Sequence, residues 1–585
     1  MTHRLSPVRS APRILAPVMV LGLLLAACAG PARVETSAHG AAQDAAQDAT
    51  QARGPIVSAA NPLAAEAGMA VLRRGGSALD AAVAIQAVLG LVEPQSSGLG
   101  GGAFLMHYDA ATGEIIAYDG RETAPSAATP ELFFEDGEPL GFRDAVLSGR
   151  STGAPGAVAM LAMAHGRHGR LAWAELFDDA ARLAEDGFEV SPRLAGMIAS
   201  SAPQASTAWA RAYFSGPDGA RLEAGDTLRN PAYAATVRAL AEQGPGAFYG
   251  GDIAREIIET VQAGERPGAL SLEDLAAYRP VAREAVCREW RVYVICAPPP
   301  PSSGLSVLQL LAMAEHVPEV NGGPDDADAW VAFAQLQRLM YADRDRYVGD
   351  ADFVTVPVAG LLDPVYVAER AALAPTLAGA AQPGLPPGFE PRAADATAEP
   401  AGTSHFVVVD AAGDAVSMTT TVESIFGSGR MAAGFFLNNQ LTDFSFSPVD
   451  AQGNPAANAV AAGKRPRSSM TPILILDRDG RFVGAVGSPG GPSILAYVAK
   501  ALIGTLVWDL TMQEAIALPN LVARGDGFGA DTELFSPELR AEMEAAGVEL
   551  RPNASENSGL HGVLWRDGRW DAGADPRREG VVVSE

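Results

Sequence analysis

Thr403 is the residue of this chain best placed to do chemistry. It opens an alternating stretch, Thr403-Ser-His-Phe-Val-Val-Val409, after a loose Ala/Pro-rich tract from about Pro375 to Ala401. In that alternation Ser404, Phe406 and Val408 point one way, and His405, Val407 and Val409 the other. Asp410 to Gly413 reads as a hairpin turn and Ala415 to Thr421 as the return strand. A floppy tract that ends abruptly in a sheet beginning with Thr points to a new chain start. Cleavage of Gly402–Thr403 would give Thr403 a free α-amine beside its hydroxyl. The ordinary pKa of that amine, about 7.7–8.0, lets it take the hydroxyl proton near neutral pH, so one residue supplies nucleophile and base. Thr421 lies on the neighbouring strand, in position to hydrogen-bond the Thr403 hydroxyl. Gly487-Ser-Pro-Gly-Gly491 follows a strand and precedes a helix, and backbone N–H groups at such a turn can form an oxyanion hole.

Five segments carry a resemblance: Thr403-Ser-His-Phe, Thr419-Thr-Thr, Leu437-Asn-Asn-Gln, Arg465-Pro-Arg-Ser-Ser-Met-Thr-Pro472 and Gly487-Ser-Pro-Gly-Gly491. Together they resemble the γ-glutamyltranspeptidases, N-terminal-nucleophile hydrolases that cleave themselves into a large and a small subunit. The resemblance runs from about Pro55 to the C-terminus. It implies that Thr403 attacks first its own Gly402 carbonyl and then a substrate amide, with Gly490 and Gly491 as oxyanion donors. Arg121 stands in Asp119-Gly-Arg-Glu-Thr-Ala-Pro125, at a strand end beside a glycine, where an Arg can hold a carboxylate bidentately. By resemblance, Arg121, Ser468 and Ser469 bind the substrate α-carboxylate, and Gln440 and Asp443 its α-amine. Two departures stand out. Glu423 replaces the Asn of many members, as it does in others including acylase-like ones. The loop from Phe444 to Lys464 is short and lacks a Tyr that many members use in a lid. Both lean towards hydrolysis over transfer and keep alive an acylase for other amides, such as cephalosporin side chains or γ-linked polymers.

Other motifs carry less. Gly98-x-Gly-x-x-Ala103 mimics a dinucleotide loop but follows a helix and leads into a strand, the reverse of what such a loop needs. Gly149-Arg-Ser-Thr-Gly153 fits a nucleophile elbow, which requires a strand before it and a late partner histidine; its flanks belong to the resembled family's pattern instead. His405 falls on the same strand face as Thr403, yet an N-terminal amine makes a dyad unnecessary. No Cys/His/Asp cluster has ligand spacing, so neither metal nor other cofactor is expected.

Among the 585 residues, 48% are apolar and 19% charged, which supports a large buried core. The net charge of −26 argues against nucleic acid and anionic lipid as partners. Residues 1–27 read as a secretory leader: Arg4, Arg9 and Arg13, then an apolar run from Ile14 to Leu25. Leu25-Ala-Ala-Cys28 resembles a lipobox, with Cys28 lipidated; a plain cleavage site with a chance Cys is the alternative. Residues 28–54 form a polar tether, 55–402 the large subunit and 403–585 the small one, paired as a heterodimer acting on a small γ-glutamyl substrate on the periplasmic side. Cys287 and Cys296 lie on adjacent strands, Ala282–Glu289 and Arg291–Cys296, either bridged or as two core thiols. Two apolar strand sets covered by helices fit an α+β fold, a four-layer αββα sandwich. An uncleaved binding lipoprotein is the reading from another class.

Overall fold

The computed structural model describes residues 54–395, 397, 402–553 and 557–585. The leader, Cys28 and nearly all of the tether lie outside the described residues.

Strand β1 (Ile56–Ala59) is followed by helices α1 (Pro62–Arg73) and α2 (Ala78–Val92). Asn61 caps α1 by accepting from Leu63 N–H, and Ser77 with Asp80 closes a capping box at the start of α2. Every residue of α2 is buried, which its Ala-rich sequence permits by allowing close backbone approach. A hairpin, β2 (Gly102–Tyr108) and β3 (Ile115–Gly120), leads to α3 (Ala157–His168). A helical region then precedes β4 (Val281–Glu284), β5 (Val286–Trp290) and β6 (Tyr293–Ala297). Helices α4 (Gly304–Ala314) and α5 (Ala327–Tyr347) follow, with two shorter helices, Val358–Leu361 and Pro364–Ala371, before Thr403. After it come β7 (Thr403–Val409), β8 (Ala415–Thr421), β9 (Ile473–Asp477), β10 (Phe482–Gly487) and α6 (Ile494–Leu506). Strands β11 (His561–Arg566), β12 (Arg569–Ala574) and β13 (Val581–Ser584) end the chain.

Two antiparallel sheets result. One has the order β13-β1-β7-β8-β2-β3-β4 and the other β12-β11-β10-β9-β6-β5. The alternation in β7 divides as expected. Phe406 and Val408 join α2 in one apolar cluster, whereas Val407 and Val409 meet Leu474, Phe482 and Val563 of the second sheet. Beyond that sheet a third cluster joins Ile473 and Ile475 to α4, α5 and α6. Thr403 therefore shares the face that looks towards the other sheet.

One expectation changes in the structure. The strand read as Ala282–Glu289 is two strands broken at Ala285, and its halves enter different sheets. Within the helical region a short 3-10 turn, Trp173–Leu176, meets a helix, Asp178–Asp186, at Phe177. A hairpin at 521–530 lies between α6 and β11. The β12 sequence Arg-Trp-Asp-Ala-Gly-Ala has Trp570 as its one strand former, but Asp567-Gly568 ahead of it, both at positive φ, makes the two-residue turn that pairs it with β11.

Cys296 faces Cys287 across β5 and β6, and the two are bonded. The loop they close is short, so constraint of the unfolded chain is worth about 2–3 kcal/mol. Reduction is expected to lower unfolding stability by that amount, read in denaturant melts with and without reductant.

Candidate active site

Register brings the site together. Thr403 pairs with Thr421, and Thr421 with Gly102 on the next strand. The Thr403 hydroxyl donates to Thr421 Oγ1 at 3.1 Å, and Thr421 Oγ1 donates to the Gly402 carbonyl at 2.7 Å. Glu423 N–H donates back to Thr421 Oγ1 at 2.8 Å, with Glu423 held at φ 82°. In the uncut chain, then, a hydroxyl polarises the very carbonyl that the neighbouring hydroxyl would attack. Arg578, from the C-terminal segment, donates to the Thr403 carbonyl at 3.0 Å.

Thr403, Thr421, Glu423, Arg121, Gln440 and Asp443 line one pocket with Ser468, Ser469 and Gly491. Gly490 is not on the lining. It stands one residue back at φ 136°, where a side chain would strike the ring of Tyr497. Gly491 opens the 3-10 turn that leads into α6, so backbone N–H groups collect at the pocket edge.

Arg121 and Asp443, expected at opposite ends of a head group, touch each other at 2.5 Å. Opposite charges in a low-dielectric pocket attract strongly. The Arg121 fork also donates to the carbonyls of Pro466 and Arg467, and Gln440 Nε2 donates to Asp443 Oδ2 at 2.9 Å. One acceptor in the same pocket, Gln440 Oε1, is buried with no hydrogen-bond partner among the described residues, and the Glu423 carboxyl hydrogen-bonds the Asp443 carboxylate. Burial, with the Asp443 carboxylate beside it, holds the Glu423 carboxyl well above the usual carboxylate range. Glu122, next to Arg121, is pushed up to about 8, chiefly by burial, with its Oε2 3.7 Å from Arg121 Nη1.

The remaining candidates separate from the site. Ser404 points to the helix side and donates to Glu93 Oε2 at 3.1 Å. His405 lies against Gly487 with Nδ1 2.9 Å from Thr419 Oγ1, and burial keeps its pKa well below 6.5, so the ring is neutral. The Ser151 hydroxyl is spent on the Val146 and Ser148 carbonyls. Arg578 and Arg344 are not singled out by sequence, Arg578 because Arg577-Arg578 sits in an ordinary turn and Arg344 because it lies in a charged run of α5. Arg344 pairs with Asp345 at 2.9 Å and also donates to Ser469 Oγ at 2.5 Å.

The raised Glu423 pKa carries a stability cost. Below about pH 4.5 the group is protonated in folded and unfolded chains alike. As pH rises, only the unfolded chain ionises, so the folded state loses ground, by about 1.4 kcal/mol per unit of pKa difference. E423Q removes that cost. Its melting point is expected to exceed that of the parent by more at pH 7.5 than at pH 4.5; an equal offset at both would show that Glu423 ionises freely.

Comparison with known proteins completes the picture. Residues 64–584 match the family model described as Gamma-glutamyltranspeptidase. The chain is 36% identical over 518 residues to the glutathione hydrolase proenzyme of Bacillus subtilis (strain 168), covering 86% of each. It is 32% identical over 575 residues to that of Escherichia coli (strain K12), covering 97% of each. Its fold matches the crystal structure of cephalosporin acylase from Bacillus halodurans with a TM-score of 0.79 at 24% identity, over 91% of this chain and 96% of that one. With a threonine hydroxyl, a paired Arg121–Asp443 and the Gly490-Gly491 turn gathered on one such scaffold, the chain belongs to the γ-glutamyltranspeptidase family.

Proposed function

We propose that this protein cuts itself at Gly402–Thr403 and then hydrolyses γ-glutamyl amides such as glutathione through a γ-glutamyl ester on Thr403. The observation that carries the reading is the pocket itself. The Thr403 hydroxyl shares it with Asp443, with the Glu423 carboxyl beside Asp443, and with an orphaned buried acceptor, Gln440 Oε1. An orphaned acceptor is expensive unless a ligand supplies the donor. An α-ammonium brings three N–H donors, and Arg121, Ser468 and Ser469 offer partners for the carboxylate on the same carbon.

The steps follow from the hydrogen bonds. Thr403 Oγ attacks the Gly402 carbonyl carbon, which Thr421 polarises; the Oγ proton passes to the Thr403 nitrogen as the C–N bond breaks, and an ester forms. Water hydrolyses the ester, leaving a Gly402 carboxylate and the free Thr403 amine. That amine then accepts the Thr403 hydroxyl proton while Oγ attacks the substrate γ-carbonyl, and passes it to the departing amine. Gly490 and Gly491 N–H groups steady the oxyanion. Water resolves the ester; a second amine could do so instead, and the short 444–464 loop favours water.

The cut would leave a large and a small chain as a heterodimer. Two facing sheets with helices outside each support the four-layer αββα arrangement. The basic leader, its apolar run and Leu25-Ala-Ala-Cys28 support export to the periplasmic side with a lipid anchor, and the Cys287–Cys296 bond suits an oxidising compartment.

Intact mass together with hydrolysis of a γ-glutamyl anilide tests the whole. Two chains, the smaller beginning at Thr403, with turnover are expected; two chains without turnover would move the substrate to another acyl class, and one inactive chain would end the enzymatic reading. T403A is expected to abolish both cleavage and turnover. T421V, which keeps shape and loses the hydroxyl, should slow self-cleavage by about 10²–10³-fold on a gel time course. Cleavage at the parental rate would show that the Thr421 hydroxyl is not used.

A further inference from the structure

Behind the pocket lies a guanidinium that the steps above do not use. Arg344, near the C-terminal end of α5, is 0% exposed. Its Nε donates to Ser303 Oγ at 3.0 Å, its Nη2 to Ser469 Oγ at 2.5 Å, and its Nη1 meets Asp345 at 2.9 Å. Ser469 lines the pocket with Thr403 and Arg121. Ser303 belongs to the Pro-rich turn before α4, and that turn clasps the same pocket segment. Ser303 N–H donates to the Ser468 carbonyl at 2.7 Å, Ser468 N–H to the Pro301 carbonyl at 2.9 Å, and Ser302 Oγ to the Met470 carbonyl at 2.8 Å. One buried cation thus bolts together a helix, a turn and the strip bearing both serines.

The chemistry of the bolt is directional. A guanidinium only donates, and a hydroxyl has one proton and two lone pairs. By taking up a lone pair of Ser469 Oγ, Arg344 turns the hydroxyl proton away from itself. A neutral or purely steric strut would leave that hydroxyl free to rotate. The direction matters because Arg121, the cation on the pocket lining, already answers Asp443. A carboxylate entering there must find donors fixed in advance.

We propose that Arg344 is a positioning residue for the substrate α-carboxylate, holding Ser469 as a donor into the pocket. This rests on the γ-glutamyl reading of the site and assigns Arg344 a share in selecting acyl groups that carry a carboxylate on the carbon bearing the amine. Lysine cannot replace it fully, since a point ammonium does not reproduce a planar fork that spans two hydroxyls.

The test compares kcat and KM for two anilides, L-γ-glutamyl and 4-aminobutyryl, the second lacking only the carboxylate. R344Q is expected to raise KM for the γ-glutamyl anilide by about 10–100-fold, the scale of a lost charge-assisted hydrogen bond, with kcat within about threefold. Turnover of the 4-aminobutyryl anilide should be unchanged. R344K should fall between parent and R344Q, and R344Q/S469A should be no worse than S469A alone. Should R344Q fail to fold, as judged by melting and by self-cleavage, R344K carries the same comparison. Equal losses on both anilides, or no loss on either, would overturn the proposal and leave the γ-glutamyl reading intact. A parent enzyme inactive on the γ-glutamyl anilide would overturn both.

Discussion

The site depends on one strand register, Thr403 opposite Thr421. Side chains in a strand alternate faces, so a slip of one residue between β7 and β8 would carry Thr403 to the helix side and bring Ser404 to the pocket. The apolar residues forbid it. Phe406 and Val408 are committed to α2, and Val407 and Val409 to the opposite sheet, so four buried side chains hold the nucleophile in place. Both sheets bury this face, and the hydroxyls of Thr403 and Thr421 are placed by packing that has no chemistry of its own.

Around that fixed point the pocket is built from polar groups the fold leaves incompletely answered. Gln440 buries an oxygen without a partner among the described residues, the Glu423 carboxyl is crowded against Asp443, and Arg121 and Asp443 neutralise each other. Such a pocket is costly when empty, and that cost is what a ligand with matching charges relieves. Rigid supports lie one step out: Arg344 behind Ser469, Tyr497 behind Gly490 and Arg578 on the Thr403 carbonyl.

Local chemistry was legible in the sequence, and long-range chemistry was not. Alternation placed Thr403 and Thr421, caps placed α1 and α2, and Asn-Asn-Gln and Arg-Ser-Ser motifs pointed to Gln440, Ser468 and Ser469, which the pocket gathers. Arg344 and Arg578 act across more than a hundred residues, and nothing in their neighbours marks them. The tract read as loose is tied down before the cut: Asp395 pairs with Arg467 at 3.0 Å and accepts from Asn458, which also donates to the Asp443 carbonyl. Composition reports the lack of regular structure in that tract but is blind to a single buried carboxylate. Likewise the break at Ala285 depends on where two sheets separate, which no run of β-formers reveals.

The order of strands has a kinetic consequence. In the first sheet β7 and β8 lie between β1 and β2, and β13 flanks β1; in the second, β9 pairs with β6. Segments from either side of Gly402–Thr403 alternate as neighbours, and neither side alone closes a sheet. While the bond is intact, these strands find each other within one chain, at an effective concentration set by the tether between them. Were it cut as proposed, the same pairing would become an encounter of two molecules, and its rate would fall with dilution. Severing the bond would convert a first-order folding problem into a second-order one, so the resulting pair would persist by how slowly it comes apart rather than by how readily it re-forms.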